Sequence, residues 1–248
     1  MGEPGATPDR IAAPATGPSP LPGLAAVLLD LDGTLIDSEP QWRALYRGLA
    51  DHLGVALAPG WWSQLVGRSL GDSVEILVGG RSLAPAERDD LVRWLVDHGV
   101  ERLRQASGDA AHEPPSPAWR PGARRLLAEL HTAGVPTAVV TASPRRLLDA
   151  VADHLRFATT VSVAGDEVRR PKPDPESYLV AASSLGVDVA DCVVIEDSPT
   201  GVAAAEASGA RVLAVPHTVP LASTPHRTVV TSLTEVGVAD LAALPARR

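Results

Sequence analysis

Residues 24–37 run Leu24-Ala-Ala-Val-Leu-Leu-Asp30-Leu-Asp32-Gly-Thr-Leu-Ile-Asp37. From Ala25 to Leu29 the stretch is apolar without alternation, and acidic residues and Gly33 end it, the pattern of a strand buried on both faces of a parallel sheet. Three later segments repeat that pattern: Pro136 to Val140 followed by Thr141, Cys192 to Ile195 followed by Glu196 and Asp197, and Arg211 to Val215 followed by Pro216. Between them, Gly122 to His131, Pro144 to Leu155, Pro175 to Leu185 and Pro199 to Ser208 read as helices. Pro144, Pro175 and Pro199 stand where a helix can begin, and Gly134, Gly186 and Gly209 where one can stop. Strand and helix in alternation predict an α/β fold, a parallel sheet wrapped by helices.

Residues 38–119 break the alternation. No strand-like run occurs there, and Trp42, Leu45, Tyr46, Leu49 and Leu53 fall on one helical stripe that Leu91, Trp94, Leu95 and Leu103 continue. A helical insertion is expected, entered through Ile36 to Pro40 and left through the proline-dense stretch His112 to Pro121. The rest of the sheet domain then comprises 24–37 and 120–248. Ahead of it, ten of the 23 residues of segment 1–23 are Pro or Gly, which predicts a disordered tail.

Composition narrows the function classes. A formal charge of −8 with no run of five basic residues argues against nucleic acid and anionic membrane as partners. Leu24 to Leu29 is far short of the roughly twenty apolar residues of a membrane span. Cys192 is the single cysteine, so no internal disulfide is expected and a reducing, cytoplasmic compartment is. Nothing in the chain implies an obligate protein partner.

In an open parallel sheet, ligands bind beyond the carboxyl ends of the strands. Asp30, Asp32, Glu196, Asp197 and the Thr141 hydroxyl all end such strands, so four carboxylates converge on one edge. Carboxylates packed together repel unless a cation sits among them, and an oxygen-only donor set selects Mg²⁺. Asp30 and Asp32, one residue apart with Gly33 allowing a turn behind them, can divide labour, one attacking an electrophile and the other moving the proton. Lys172 is the only lysine among 22 basic residues. It stands between two prolines, and a compact ammonium fits beside a carboxylate where a planar guanidinium needs a wider space.

These motifs resemble those of the haloacid-dehalogenase-like (HAD) superfamily. Asp30-Leu-Asp-Gly-Thr-Leu is similar to its first motif, Thr141 to its second, Lys172 in Arg169-Arg-Pro-Lys-Pro-Asp-Pro175 to its third, and Glu196-Asp-Ser-Pro-Thr-Gly201 to its fourth. The resemblance implies a Rossmann-like core with an inserted α-helical C1 cap. It also implies Asp30 as nucleophile and metal ligand, and Asp32 as general acid/base and ligand through its backbone carbonyl. Thr141 and Lys172 would meet the phosphoryl group, Asp197 would be a further Mg²⁺ ligand, and Glu196 would hold a metal-bound water.

Within the superfamily, Asp32 argues against the dehalogenases, which lack that acid, and a cap without lysine argues against the Schiff-base phosphonate enzymes. The sequence resembles the β-phosphoglucomutase and sugar-phosphate phosphatase subfamily, and Trp42 falls where the mutases carry a histidine. The expectation is therefore a phosphatase of a small phosphorylated metabolite, a sugar or polyol phosphate, working through an aspartyl-phosphate. A phosphomutase and a non-catalytic phospho-ligand sensor are the alternatives. Trp42, Trp62 and Arg68 of the cap, with Ala142 and Ser143 next to Thr141, are the candidate substrate contacts.

Overall fold

The computed structural model describes residues 19–79, 81–105, 118–152, 155, 159 and 161–245. Six parallel strands form its sheet: β1 (Ala26–Leu29), β2 (Thr137–Val140), β3 (Val161–Val163), β4 (Cys192–Glu196), β5 (Arg211–Ala214) and β6 (Arg227–Val229), in the order β3-β2-β1-β4-β5-β6. β1 lies at the centre, with Leu29 opposite Val139 on one side and Ile195 on the other. Four strands are those the apolar runs predict. β3 and β6 are additional, three residues each at the two edges.

The helices, in chain order, are α1 (Glu39–Leu53), α2 (Trp61–Leu65), α3 (Leu70–Leu77), α4 (Pro85–Gln105), α5 (Ala123–Thr132), α6 (Arg145–Val151), α7 (Glu176–Leu185), α8 (Pro199–Ser208) and α9 (Val238–Ala243). α6 stops at Val151, short of the expected Leu155, and Pro144 and Pro175 stand one residue ahead of their helices. Pro199 opens α8, and the Ser198 hydroxyl caps it by accepting from the Gly201 N–H.

Successive side chains of a strand point to opposite faces, so each strand feeds two cores. Val27 and Leu29 face Leu126, Leu127 and Leu130 of α5, Leu148 of α6 and Leu241 of α9. Ala26 and Leu28 face α7 and α8, which answer with Ala181, Ala182, Ala204 and Ala205, small residues that bring helix and sheet close. All four residues of β1 are 0% exposed, which explains why its sequence shows no polar alternation.

The insertion forms a third core of its own. Leu45, Tyr46 and Leu49 of α1 pack with Val74 of α3 and Leu95, Val96 and Val100 of α4, and Leu147 of α6 joins them from the sheet side. The Leu103 side chain lies outside the described residues.

Chain entry and exit lie side by side. Ile36 bridges antiparallel to Trp119, the Asp37 N–H donates to the Ala118 carbonyl at 2.7 Å, and the Arg120 N–H donates to Leu35 at 2.8 Å. The return linker and tail are outside the described residues up to 117 and 18 respectively. The last residues of the expected tail are packed, however: Leu21 lies against the first core, and Arg211 donates to the Gly23 carbonyl. No helix among the described residues is long and apolar enough to cross a membrane.

Candidate active site

Three of the four strand-end carboxylates come together at one edge of the sheet. Asp30 follows β1, Thr141 follows β2, Glu196 ends β4 and Asp197 follows it, and the carboxylates of Asp30, Glu196 and Asp197 offer oxygens within 4.8 Å of one another. The Asp32 side chain is not one of that group.

Lys172, from the segment before α7, enters from the side and is buried. Its Nζ donates to Asp30 Oδ1 at 2.7 Å, to Glu196 Oε1 at 2.7 Å and to the Val140 carbonyl at 3.0 Å, which engages all three ammonium protons. It also lies 4.9 Å from the centre of the Tyr178 ring. Burial works against the charged amine, but Asp30 and Glu196 outweigh it and hold its pKa well above the ordinary value.

Glu196 is the anchor of the group. Oε1 accepts from Lys172 and from the Tyr178 hydroxyl at 2.8 Å, while Oε2 accepts from the Asp197 N–H at 3.0 Å and from the Ser198 N–H and hydroxyl at 3.2 Å. Five donors saturate this carboxylate. It is 0% exposed, and it fits against α8 because Gly201 carries no Cβ, which would run into it. Gly201→Ala is therefore expected to displace Glu196 from its donors and to destabilise the protein by about 2 kcal/mol or more, read from the urea midpoint. An unchanged midpoint would show that the loop yields. Gly33 serves Asp197 in the same way: its φ is +91°, and a side chain there would meet the Asp197 carboxylate.

Asp30 is left with one oxygen engaged and the other, Oδ2, buried without a partner. Burial pushes its carboxyl up to about 8, with Glu196 adding to the rise and Lys172 opposing it. Burial, then Asp30 and Glu196, raise Asp197 as well. A site of this kind is short of positive charge.

Asp32 accepts four hydrogen bonds. Oδ1 takes Ser38 Oγ at 2.6 Å and Trp42 Nε1 at 3.1 Å, and Oδ2 takes Thr141 Oγ1 at 3.0 Å and Ser143 Oγ at 2.7 Å. Two donors belong to the start of the insertion and two to the loop after β2, so insertion and sheet domain hold the same carboxylate.

Above these groups opens a cleft between the sheet edge and the insertion. Asp30, Asp32, Lys172 and Asp197 form one part of its wall, and Trp42, Trp62, Arg68, Ala142 and Ser143, the candidate substrate contacts, line it too. Glu196 lies beneath the wall. Arg68 is tied by its Nε to the Gln64 carbonyl at the exposed rim. Sequence reasoning missed Tyr178, and it missed the cleft residues Glu39, His217 and Thr218. Glu39 lies four residues beyond Leu35, the end of the first motif, and His217 and Thr218 follow the end of β5, where Pro216 obscured the strand-end signal.

A family model described as haloacid dehalogenase-like hydrolase matches residues 24–209. Hexitol phosphatase A of Escherichia coli is 34% identical over 190 residues, 76% of this chain and 81% of that protein. Validoxylamine A 7'-phosphate phosphatase of Streptomyces hygroscopicus subsp. limoneus is 33% identical over 186 residues, 73% of this chain and 81% of that protein. Among solved structures, CbbY from Rhodobacter sphaeroides in complex with phosphate superposes with a TM-score of 0.74 at 26% identity, covering 88% of this chain and 99% of that one.

Proposed function

The chain belongs to the haloacid dehalogenase-like hydrolases, and from that membership we propose that it is a Mg²⁺-dependent phosphatase of a small phosphorylated metabolite, a sugar or polyol phosphate. The observation that carries the proposal is the Asp30 carboxylate at the cleft, one oxygen held by Lys172 and the other buried and unclaimed. The names of the two phosphatase relatives support it.

The donor set fits magnesium. The free Oδ2 of Asp30, the Asp197 carboxylate and the backbone carbonyl of Asp32 would be its hard oxygen ligands, and Glu196, whose oxygens five donors already take, is not free to hold the metal-bound water expected of it and would act instead by fixing the Asp197 backbone and the Lys172 ammonium. Bound there, the ion supplies the positive charge that keeps Asp30 and Asp197 ionised and that neutralises the phosphoryl group.

Asp30 attacks phosphorus in line, forming an acyl phosphate as the bond to the leaving oxygen breaks. Asp32, protonated when the cycle begins, exchanges one of its four donors for that oxygen and delivers its proton to it. A water then attacks the phosphorus, Asp32 accepts its proton, and phosphate leaves with Asp30 restored. The Lys172 ammonium, its protons on Asp30, Glu196 and the Val140 carbonyl, supplies its charge beside the phosphoryl group, and the Thr141 hydroxyl turns from Asp32 to a phosphoryl oxygen. Residues 38–119 act as the cap over a core of 24–37 and 120–248, in the cytoplasm.

Turnover of p-nitrophenyl phosphate with Mg²⁺, and its loss by at least about 100-fold on chelation, is the expected result. No turnover at saturating Mg²⁺ would leave the sensor alternative standing. Asp32→Asn separates the two carboxylates. Its cost in the phosphoryl-transfer step is expected to be about 10²-fold or more for alkyl phosphates and much smaller for the nitrophenyl ester, whose leaving oxygen needs no proton. Equal losses across leaving groups, with that step rate-limiting, would remove Asp32 from the acid role.

A further inference from the structure

Glu39 sits in the first turn of α1 with its carboxylate on the cleft wall, and its side chain is 17% exposed. The Thr218 hydroxyl, from the segment after β5, donates to Glu39 Oε2 at 2.6 Å, and His217 Nε2 lies 3.6 Å from the same oxygen. Arg43 pairs with Oε1 from behind the cleft wall, and its guanidinium lies 5.2 Å from the centre of the Trp62 ring. Burial opposes ionisation of Glu39, yet the Thr218 hydroxyl and Arg43 outweigh it and hold the carboxyl below its usual range. Burial, with Arg120 next, keeps the His217 imidazole below its ordinary value, so it adds no full charge at neutral pH. The cleft therefore presents an ionised carboxylate, paired with Arg43 behind it and flanked by the Thr218 hydroxyl and the His217 imidazole. Beyond Lys172, whose protons are all engaged, its one cationic side chain among the described residues is Arg68 at the rim.

We infer that Glu39, aimed by Thr218, is the specificity-determining residue for the leaving group: it accepts hydrogen bonds from the hydroxyls of a neutral polyol and rejects phosphorylated acids. The inference rests on the phosphatase reading. Each carboxylate oxygen keeps a lone pair after its partner is counted, which a substrate hydroxyl can use. A substrate carboxylate brought to the same place meets like charge in a cleft partly shielded from water, where repulsion is stronger than in bulk. Because Glu39 comes from the cap and Thr218 from the sheet domain, this subsite exists only where the two meet.

The matched probes are glycerol 3-phosphate and 3-phosphoglycerate, which share a three-carbon chain and differ by a CH₂OH against a carboxylate. The wild-type enzyme is expected to favour the former by at least about tenfold in kcat/KM. Glu39→Gln keeps the shape and removes the charge, and is expected to lower that ratio by about tenfold, mostly through KM for the acid. The ratio compares two substrates on one preparation, so it does not depend on how much of the variant folds. Thr218→Val, which removes the aiming hydroxyl, is expected to move the ratio in the same direction by less, and it decides the matter if Glu39→Gln yields no active protein. A wild-type preference for 3-phosphoglycerate would overturn the inference and assign the cleft to anion capture by Arg68. A preference for the polyol that neither variant shifts by more than about twofold would overturn the role of Glu39. Failure of the wild type to turn over any phosphate ester, p-nitrophenyl phosphate included, would remove the phosphatase reading and this inference with it.

Discussion

Asp30→Asn is expected to lower turnover by on the order of 10⁴-fold or more, because the amide oxygen is a poor nucleophile and no neighbouring group can replace it. The loss is not expected to come from unfolding. The Asp30 surroundings disfavour its ionised form, raising the carboxyl to about 8, so a neutral side chain of the same shape is tolerated in the apoprotein. The expected signature is a thermal midpoint close to that of the wild type without metal, with most of the stabilisation by Mg²⁺ gone. Residual turnover within tenfold of the wild type would place the phosphoryl acceptor elsewhere.

Lys172→Met has the second large effect, and it reaches stability as well as activity. The substitution removes the ammonium from between Asp30 and Glu196 and leaves Asp197 beside them, three buried carboxylates without their counterion. Breaking a buried pair from one side costs about 3–5 kcal/mol, measurable by urea denaturation above pH 8, where Asp30 is ionised in the wild type. The cost should shrink toward acid pH, where the carboxyls take protons and need no counterion. Lys172→Arg is expected to rescue little, because the three acceptors converge on one nitrogen and a guanidinium spreads its donors over a plane. Wild-type stability in Lys172→Met would mean that the carboxylates are neutral in the native protein.

The four inner strands and the residues that end them were legible because their signals are local. A strand covered on both faces must be apolar at every position, as in β1, and the polar residue that ends it must serve the site or a cap. β3 and β6 carry no such signal. Val161-Ser-Val and Arg227-Thr-Val are three residues long, at the sheet edges, and none of the β6 residues is fully buried. Tyr178 was illegible for another reason. A tyrosine inside an amphipathic helix reads as core, which it is at 0% exposed, and only the packing of α7 against the sheet brings its hydroxyl to Glu196. Glu39, His217 and Thr218 come together only through the placement of the cap against the segment after β5, a long-range contact that no window of sequence contains.

The side-by-side entry and exit of the insertion bear on how such an enzyme can change. Ile36 and Trp119 are bridged, so the two ends of a segment of some eighty residues are held at a fixed separation by the sheet domain itself. Closing a loop whose ends are already joined adds a cost that grows only with the logarithm of its length. Helices can thus be lengthened, replaced or exchanged between homologues at this junction with little strain passed to β1 and Asp30. The graft must still restore the Ser38 and Trp42 hydrogen bonds to Asp32, the toll that a new cap pays for proton transfer. Chimeras cut at Ile36 and Trp119 are thereby expected to inherit the phosphoryl chemistry of the recipient and the leaving-group range of the donor.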